Sequence, residues 1–447
     1  MKTKFKWITL LITLAISVPG LPVMAAAADA PAIDTGDTAF IIVCAALVMI
    51  MTPGLALFYG GMVRKKNVLG TIMQSFAAMA LVSVQWVLIG YTLGFGTDIG
   101  HLIGNLQWLG MSGVGIDPNP DYSATIPQSV FAVFQLMFAI ITVALISGSF
   151  AERMRFPIFI AFVLLWTTLV YDPLAHWVWG VNGWLRNLGA LDFAGGTVVH
   201  ISSGVSGLVA CLFLGRRREE GFDAMMPHNL PMTMLGAALL WFGWFGFNAG
   251  SALGANGLAG HAFLVTNTCA AVGALSWVGA EWLHHGKPTA LGFASGLVAG
   301  LVAITPAAGF VSPASSILMG IIVGPLCYYA VSHLKSKFGY DDTLDAFGIH
   351  GVGGIFGALA TGVLATTAVN PAGVDGLLFG NPHQLLVQLI AVVAAVAFAA
   401  TATFVILNVL SMFASLRISE DAEEIGLDIT QHGEDAYSYM EISSAQR

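Results

Sequence analysis

DFAGGTVVHISSGVSGLVACLFLG, residues 192–215, holds one histidine, His200, in a run that after Asp192 is otherwise apolar, small or hydroxyl-bearing. As a helix such a run crosses about 30 Å of hydrocarbon, where an ionisable side chain is costly and marks a pathway or relay by default. His200, Gly204 and Gly207 form H-x3-G-x2-G, and the pattern returns in DAFGIHGVGGIFGALATGVL, residues 345–364, as His350, Gly354 and Gly357. Each histidine also follows an acidic residue and glycine: Asp192 with Gly195 and Gly196, and Asp345 with Gly348. His200 stands eight residues after Asp192, about 12 Å of helix rise and near mid-bilayer. Counted from Asp345, His350 is shallower, so its span must begin earlier if the two rings are to meet.

The rest of the chain has the same solvent. Of 447 residues 57% are hydrophobic and 9% charged, against roughly 25% charged in a soluble domain. The 52 glycines suit helices packed through small residues. Apolar runs of spanning length lie near 38–63, 69–95, 127–150, 156–174, 193–215, 230–249, 261–283, 289–308, 315–334, 343–367 and 383–416. The expected fold is therefore an all-α polytopic membrane protein of about eleven transmembrane helices.

Basic residues test that count, because they stay on the cytoplasmic side. Loops after odd-numbered spans carry Arg64, Lys65, Lys66, Arg153, Arg155, Arg216, Arg217, Arg218, Lys287, Lys335, Lys337 and Arg417, whereas loops after even-numbered spans carry only Arg186. The N-terminus is then outside and the C-terminus inside. The matched histidine patterns end two sets of five spans, 38–215 and 230–367. Because five is odd, the second set must be inverted relative to the first, and inverted repeats meet at a midplane pathway. The span 383–416 stands alone, followed by an acidic cytoplasmic tail, 417–447. Residues 1–27, with Lys2, Lys4 and Lys6, an apolar stretch broken by Pro19 and Pro22, and small residues from Ala25, read as a cleaved signal peptide. An uncleaved first span is the rival reading.

Only His200 and His350 of the eleven histidines sit well inside spans. Imidazole both donates and accepts a hydrogen bond and titrates near neutrality, so a pair can share one proton and offer an acceptor to a small polar solute. Zinc would want four ligands, and none is near in sequence; no metal or other cofactor is expected. Cys44, Cys211, Cys269 and Cys327 are scattered in apolar runs without CxxC spacing and read as core. A second constellation is aromatic: Phe134 and Phe138 at i, i+4, Trp179 at a loop, and WFGWFGFNAGS from Trp241 to Ser251. Aromatic faces attract a cation that has shed water, though single rings are commonly interface anchors. Ser251 adds an acceptor. Asp192 reads first as a helix N-cap, and as a carboxylate near the mouth it also favours a cation. No basic face suits nucleic acid, and no nucleophile–base pair indicates an enzyme.

Taken in order, PGLALFYGG from Pro53, AERMRF from Ala151, DFAGGTVVH from Asp192, PHNLP from Pro227, GWFGFNAGS from Gly243 and the D-x-F-G-I-H-G of Asp345 to Gly351 resemble the Amt/Mep/Rh ammonium transporters, in their bacterial Amt branch, over nearly the whole mature chain. The resemblance implies an outer ammonium site of Trp179, Phe138 and Ser251 with Phe134 alongside, a gate of stacked Phe138 and Phe247, twin pore histidines His200 and His350, and a supporting Asp192. It implies a homotrimer with one pore per subunit in the cell inner membrane, carrying ammonium or ammonia and also methylammonium. The tail GLDITQHGEDAY, Gly426 to Tyr437 with Asp428, His432, Gly433 and Glu434, is similar to the tail that works with a PII-type signal protein. From composition alone that tail would be disordered.

The expected function is transport: ammonium is recruited at the aromatic site, deprotonated, and conducted past the histidines. The alternative is an ammonium sensor with little flux. A water channel, suggested by Asn370, Pro371 and Ala372, has one such triplet where two are needed, and carbon dioxide conduction is left open.

Overall fold

The computed structural model describes residues 32–218 and 225–437. The expected signal peptide lies outside the described residues. Among them ten helices are long and apolar enough to cross a membrane, and a shorter apolar helix makes eleven. They are α1 (Thr35–Met62), α2 (Lys65–Phe95), α3 (Gln128–Phe150), α4 (Phe156–Leu188), α5 (Gly196–Leu214), α6 (Leu230–Gly250), α7 (Gly257–His285), α8 (Ala290–Ile304), α9 (Pro313–Phe338), α10 (Phe347–Leu364) and α11 (Pro382–Phe413). α4 runs beyond its expected end, to Trp179, before it breaks at Gly180. Where hydrocarbon supplies no hydrogen bonds, helices satisfy their own backbone, and side chains at the N-cap position cap five of their starts. Asp34, Asn229, Asn256, Thr289 and Ser312 each accept the amide three residues on, satisfying a donor that a helix start leaves orphaned.

α1–α5 and α6–α10 are the two halves. The first helices of each, α1 and α6, pack along one another through glycine: a Cβ on Gly236 would strike the Phe58 backbone, and one on Gly243 the Leu47 carbonyl. The fifth helices cross where the H-x3-G-x2-G patterns lie. A Cβ on Gly204 would collide with Gly351, and one on Gly354 would press on Ile201 and the His200 Cβ. Each glycine thus faces the residue just after the other half's histidine. The next glycines repeat the relation within each half, Gly207 against Ser149 of α3 and Gly357 against Ala303 of α8. Widened π-type turns fall in the fourth and fifth helices of both halves, at Thr167–Tyr171, Gly196–Ile201, Ala330–Leu334 and Phe347–Gly351. Such turns often mark functional segments, and two of these hold the histidines.

At the end of the bundle where the tail lies, charges that the sequence assigns only to loops form a buried network. Arg153, whose side chain is fully buried, donates to the carbonyls of Ser149 and Gly215, to the Asp341 carbonyl at 2.9 Å and to Thr343 Oγ1 at 3.0 Å. Glu152 accepts from the Arg64 amide at 2.7 Å and its Nε at 2.8 Å. Arg217 grips Asp341 through Nε at 2.9 Å and Nη2 at 2.8 Å. Burial pushes the Glu152 and Asp341 carboxyls up, but these guanidinium groups outweigh it and hold both below the usual carboxylate range.

The tail is ordered rather than disordered, because backbone groups of the loops are available to it. A short helix, α12 (Glu420–Ile425), is followed by a turn over Asp428–His432. Asp428 accepts from the Leu69 and Gly70 amides at 3.1 and 2.8 Å, capping the α-helical part of α2 that begins at Val68, and the Leu427 amide donates to Asn67 Oδ1 at 2.8 Å. Gly426 has φ +113°, a conformation L side chains rarely adopt, and a Cβ there would meet Lys66. The His432 ring sits edge-on to Phe156, 4.8 Å away. Gly433 turns the chain at φ +69°, the Glu434 amide donates to the Asp428 carbonyl at 3.2 Å, and the Tyr437 hydroxyl lies 2.8 Å from His228 Nε2.

Because the crossing of α5 and α10 has no room for a side chain, Gly204→Val is expected to lower stability by at least about 1–3 kcal/mol, read as a lower melting temperature of the detergent-purified protein.

Candidate functional site

Phe134 and Phe138 are one helical turn apart on α3 and meet edge-on, 5.0 Å between centroids. Trp179, at the end of the regular part of α4, stands edge-on to Phe138 at 5.9 Å and 85°. Ser251 follows the last turn of α6 and its hydroxyl donates to the Phe247 carbonyl at 2.9 Å, which leaves oxygen lone pairs for another donor. Phe138, Trp179, Ser251 and Gln135 line one cavity of about 210 Å³. Asp121 and Arg186 line it too, and Arg186 donates to the Trp179 carbonyl at 2.7 Å.

Beneath the cavity Phe138 stacks on Phe247, with centroids 4.2 Å apart and planes at 28°. Both rings are buried. Beyond Phe247 comes His200, 6.1 Å away ring to ring, then His350 at a further 5.3 Å, its ring within 20° of parallel. The Nδ1 atoms of the two histidines approach to 3.2 Å. Two bare lone pairs or two N–H groups would repel at that distance, so one ring donates and the other accepts: the pair shares one proton. His200 Nε2 has no protein partner among the described residues. The space beside the rings, about 10 Å³ in volume, is lined by Leu55, Ile141, Val199 and Leu240 among others, so it is apolar except for imidazole and admits about one water-sized molecule. Trp244 stacks on His200 at 5.3 Å and 18°, anchored by its indole N–H to Thr305 Oγ1 at 2.8 Å.

Asp192 does not line the cavity. Its carboxylate accepts from the amides of Gly195, Gly196 and Thr197 at 2.7, 2.6 and 2.8 Å and from the Thr197 hydroxyl, so it caps α5 from a buried position. Its own carbonyl accepts the Trp179 indole N–H at 2.9 Å. Gly195 makes the turn at φ +119°, and a Cβ there would run into Val199 and approach Trp179. Asp192 therefore ties the start of the first histidine helix to the tryptophan of the cavity.

The pairing of Asp192 with Asp345 is corrected by the structure. The counterpart is Asp342, which accepts from the Ala346 amide at 3.2 Å and the Phe347 amide at 2.8 Å, as Asp192 does four and five residues on. Asp345 instead binds Lys335 Nζ at 2.7 Å. Asp342 precedes His350 by eight residues, the spacing of Asp192 from His200, which removes the apparent shallowness of His350. That equal offset is present in the sequence, but Asp345 stands closer to the glycine and so matches the pattern first. Trp244, inside the quoted aromatic run, is the other site residue that pattern alone does not distinguish.

The profile of the Ammonium Transporter Family matches residues 39–437. The chain belongs to that family. An ammonium transporter of Bacillus subtilis (strain 168) is 58% identical over 402 residues, covering 90% of this chain and 98% of the relative. One from Aquifex aeolicus (strain VF5) is 53% identical over 409 residues, 91% of this chain and 94% of the relative. Among solved structures, Saccharomyces cerevisiae Mep2 superposes with TM-score 0.81 at 40% identity, covering 87% of this chain and 91% of that one. A structure named Sensor Amt Protein gives TM-score 0.82 at 28% identity, over 89% and 98% of the two chains. This family member is thus a multi-pass helical membrane protein of the ammonium transporter fold.

The different partners of Asp342 and Asp345 predict unequal costs for two neighbouring changes. Asp342→Ala is expected to lose about 0.5–2 kcal/mol, as for a lost N-cap, and Asp345→Ala less, since its partner Lys335 is partly exposed; thermal unfolding of the two variants side by side checks the order.

Proposed function

We propose that this chain transports ammonium nitrogen, taking ammonium at the cavity lined by Trp179, Phe138 and Ser251, with Phe134 packed behind Phe138, giving up its proton to water of the cavity at the Phe138–Phe247 gate, and passing ammonia beside His200 and His350. One observation carries the reading: a half-aromatic cavity, a closed phenyl stack and a proton-sharing imidazole pair follow one another, each ring within 6.1 Å of the next. Ring faces attract a partly dehydrated cation, and Ser251 offers an acceptor to its N–H. A charge at the centre of the bilayer costs about 2.5–3.5 kcal/mol even on insertion scales, whereas neutral ammonia avoids most of that penalty. The acceptor nitrogen of the histidine pair suits its N–H donors. Asp192 supports the site electrostatically and through Trp179, without touching the solute.

Positive residues gathered at the tail end support an orientation with the cavity outside and the tail in the cytoplasm, across the inner membrane. We further assign to the chain a homotrimeric state, acceptance of methylammonium, a cleaved signal peptide, and a PII-type signal protein as partner of the tail, all on the family resemblance. The ordered tail favours the last of these, since it is bonded to the start of α2 and to the segments at Arg218 and His228. Asp428→Ala, which removes the acceptor for two α2 amides, is expected to speed protease cleavage of the tail several-fold in vesicles that expose that face, with the spans left intact.

Current recorded across a supported membrane after an ammonium pulse tests the central reading. A saturable current is expected, carried by the released proton as it crosses apart from the ammonia, and lost in Asp192→Ala. Should His200→Ala abolish current while an internal pH dye still reports ammonia flux, the histidines belong to the proton path. Absence of both current and flux would favour a sensor, the role for which one structural relative is named.

A further inference from the structure

The segment Gly189–Asp192 joins α4 to the start of α5 without a helix of its own, yet its backbone is held at defined points by α11. Gln388 of α11, fully buried, presents both ends of its amide to a single residue. Its Oε1 accepts the Leu191 amide at 2.7 Å and its Nε2 donates to the Leu191 carbonyl at 2.8 Å. The second Nε2 hydrogen goes to the Ala358 carbonyl of α10 at 3.0 Å. One turn earlier Gln384 donates to the Gly189 carbonyl at 3.0 Å and to Gln388 Oε1 at 3.3 Å, which fixes the direction of the Gln388 amide. Gly362 of α10 lets the two helices approach closely, since a Cβ there would lie 2.9 Å from Gln388 Cγ.

A glutamine amide in an apolar bundle is costly unless its bonds are made, and here the donor hydrogens and the oxygen are all used. What they hold is informative. Leu191 is bonded directly to Asp192, whose carbonyl receives the Trp179 indole N–H and whose carboxylate caps α5. A shift at Leu191 therefore moves the cap and the tryptophan together. The same amide reaches α10 eight residues after His350. We propose that Gln388 is a positioning residue of the ammonium cavity: it sets Trp179 and Asp192 through Leu191, and touches neither solute nor pore.

The proposal rests on the cavity being the recruitment site, so the experiment reads both. Apparent KM and maximal ammonium current are measured for Gln388→Met, which keeps length and loses every bond, and for Trp179→Leu. Gln388→Asn, too short to span both Leu191 groups, is read by the same criteria where Gln388→Met is not recovered as a monodisperse protein. A loosened cavity raises KM about tenfold while maximal current stays within about twofold, the pattern of lost binding rather than lost turnover. A lower maximum at unchanged KM, or no change in either, while Trp179→Leu raises KM, overturns the role of Gln388 and leaves the cavity standing. Unchanged KM in both Trp179→Leu and the Gln388 variant removes the recruitment site itself, and the proposal with it.

Discussion

The approach of α5 to α10 governs this structure. Two histidines meet at 3.2 Å only because the helices bearing them touch backbone to backbone at Gly204 and Gly354. Packing small residues face to face is how helices associate where lipid removes the hydrophobic drive between them. Here the same contact also sets the separation of two polar rings, so the stability of the crossing and the shared proton of the histidine pair have one origin. Capping aspartates at equal distances before each histidine then start both helices at matching depths.

Several charged groups elsewhere in the bundle bond to a backbone that would otherwise lack a partner. Asp192 and Asp342 satisfy helix starts, Arg153 collects carbonyls from α3, from the end of α5 and from the 341 loop, and Asp428 closes the start of α2. In a dry interior an unmet polar group costs more than a met one gains, so such bonds fix geometry where apolar packing alone would allow sliding.

Much of this was legible from residue order. Spans followed from apolar runs, and inversion followed from an odd number of helices ending in the same pattern. The grouping of Trp179, Phe138, Phe247 and Ser251 came from family resemblance, and these residues lie together in the fold. Less was legible where a side chain has several possible targets. Asp342 and Asp345 are three residues apart, and only backbone direction tells which one caps α10. Gln388 in an apolar run says that some polar partner exists without saying which. The tail's order depends on amides of Leu69 and Gly70, more than three hundred residues away, and no local composition reveals such a partner.

Sharing one proton gives the histidine pair a direction. With the hydrogen on His200 Nδ1, the far nitrogen of His200 is an acceptor and that of His350 a donor; with the hydrogen on the other ring both roles reverse. A hop across 3.2 Å, with one proton gained at the far nitrogen of the donor ring and one released from that of the acceptor ring, thus inverts a small electric dipole running through the two rings. A two-position toggle of this kind needs no helix to move.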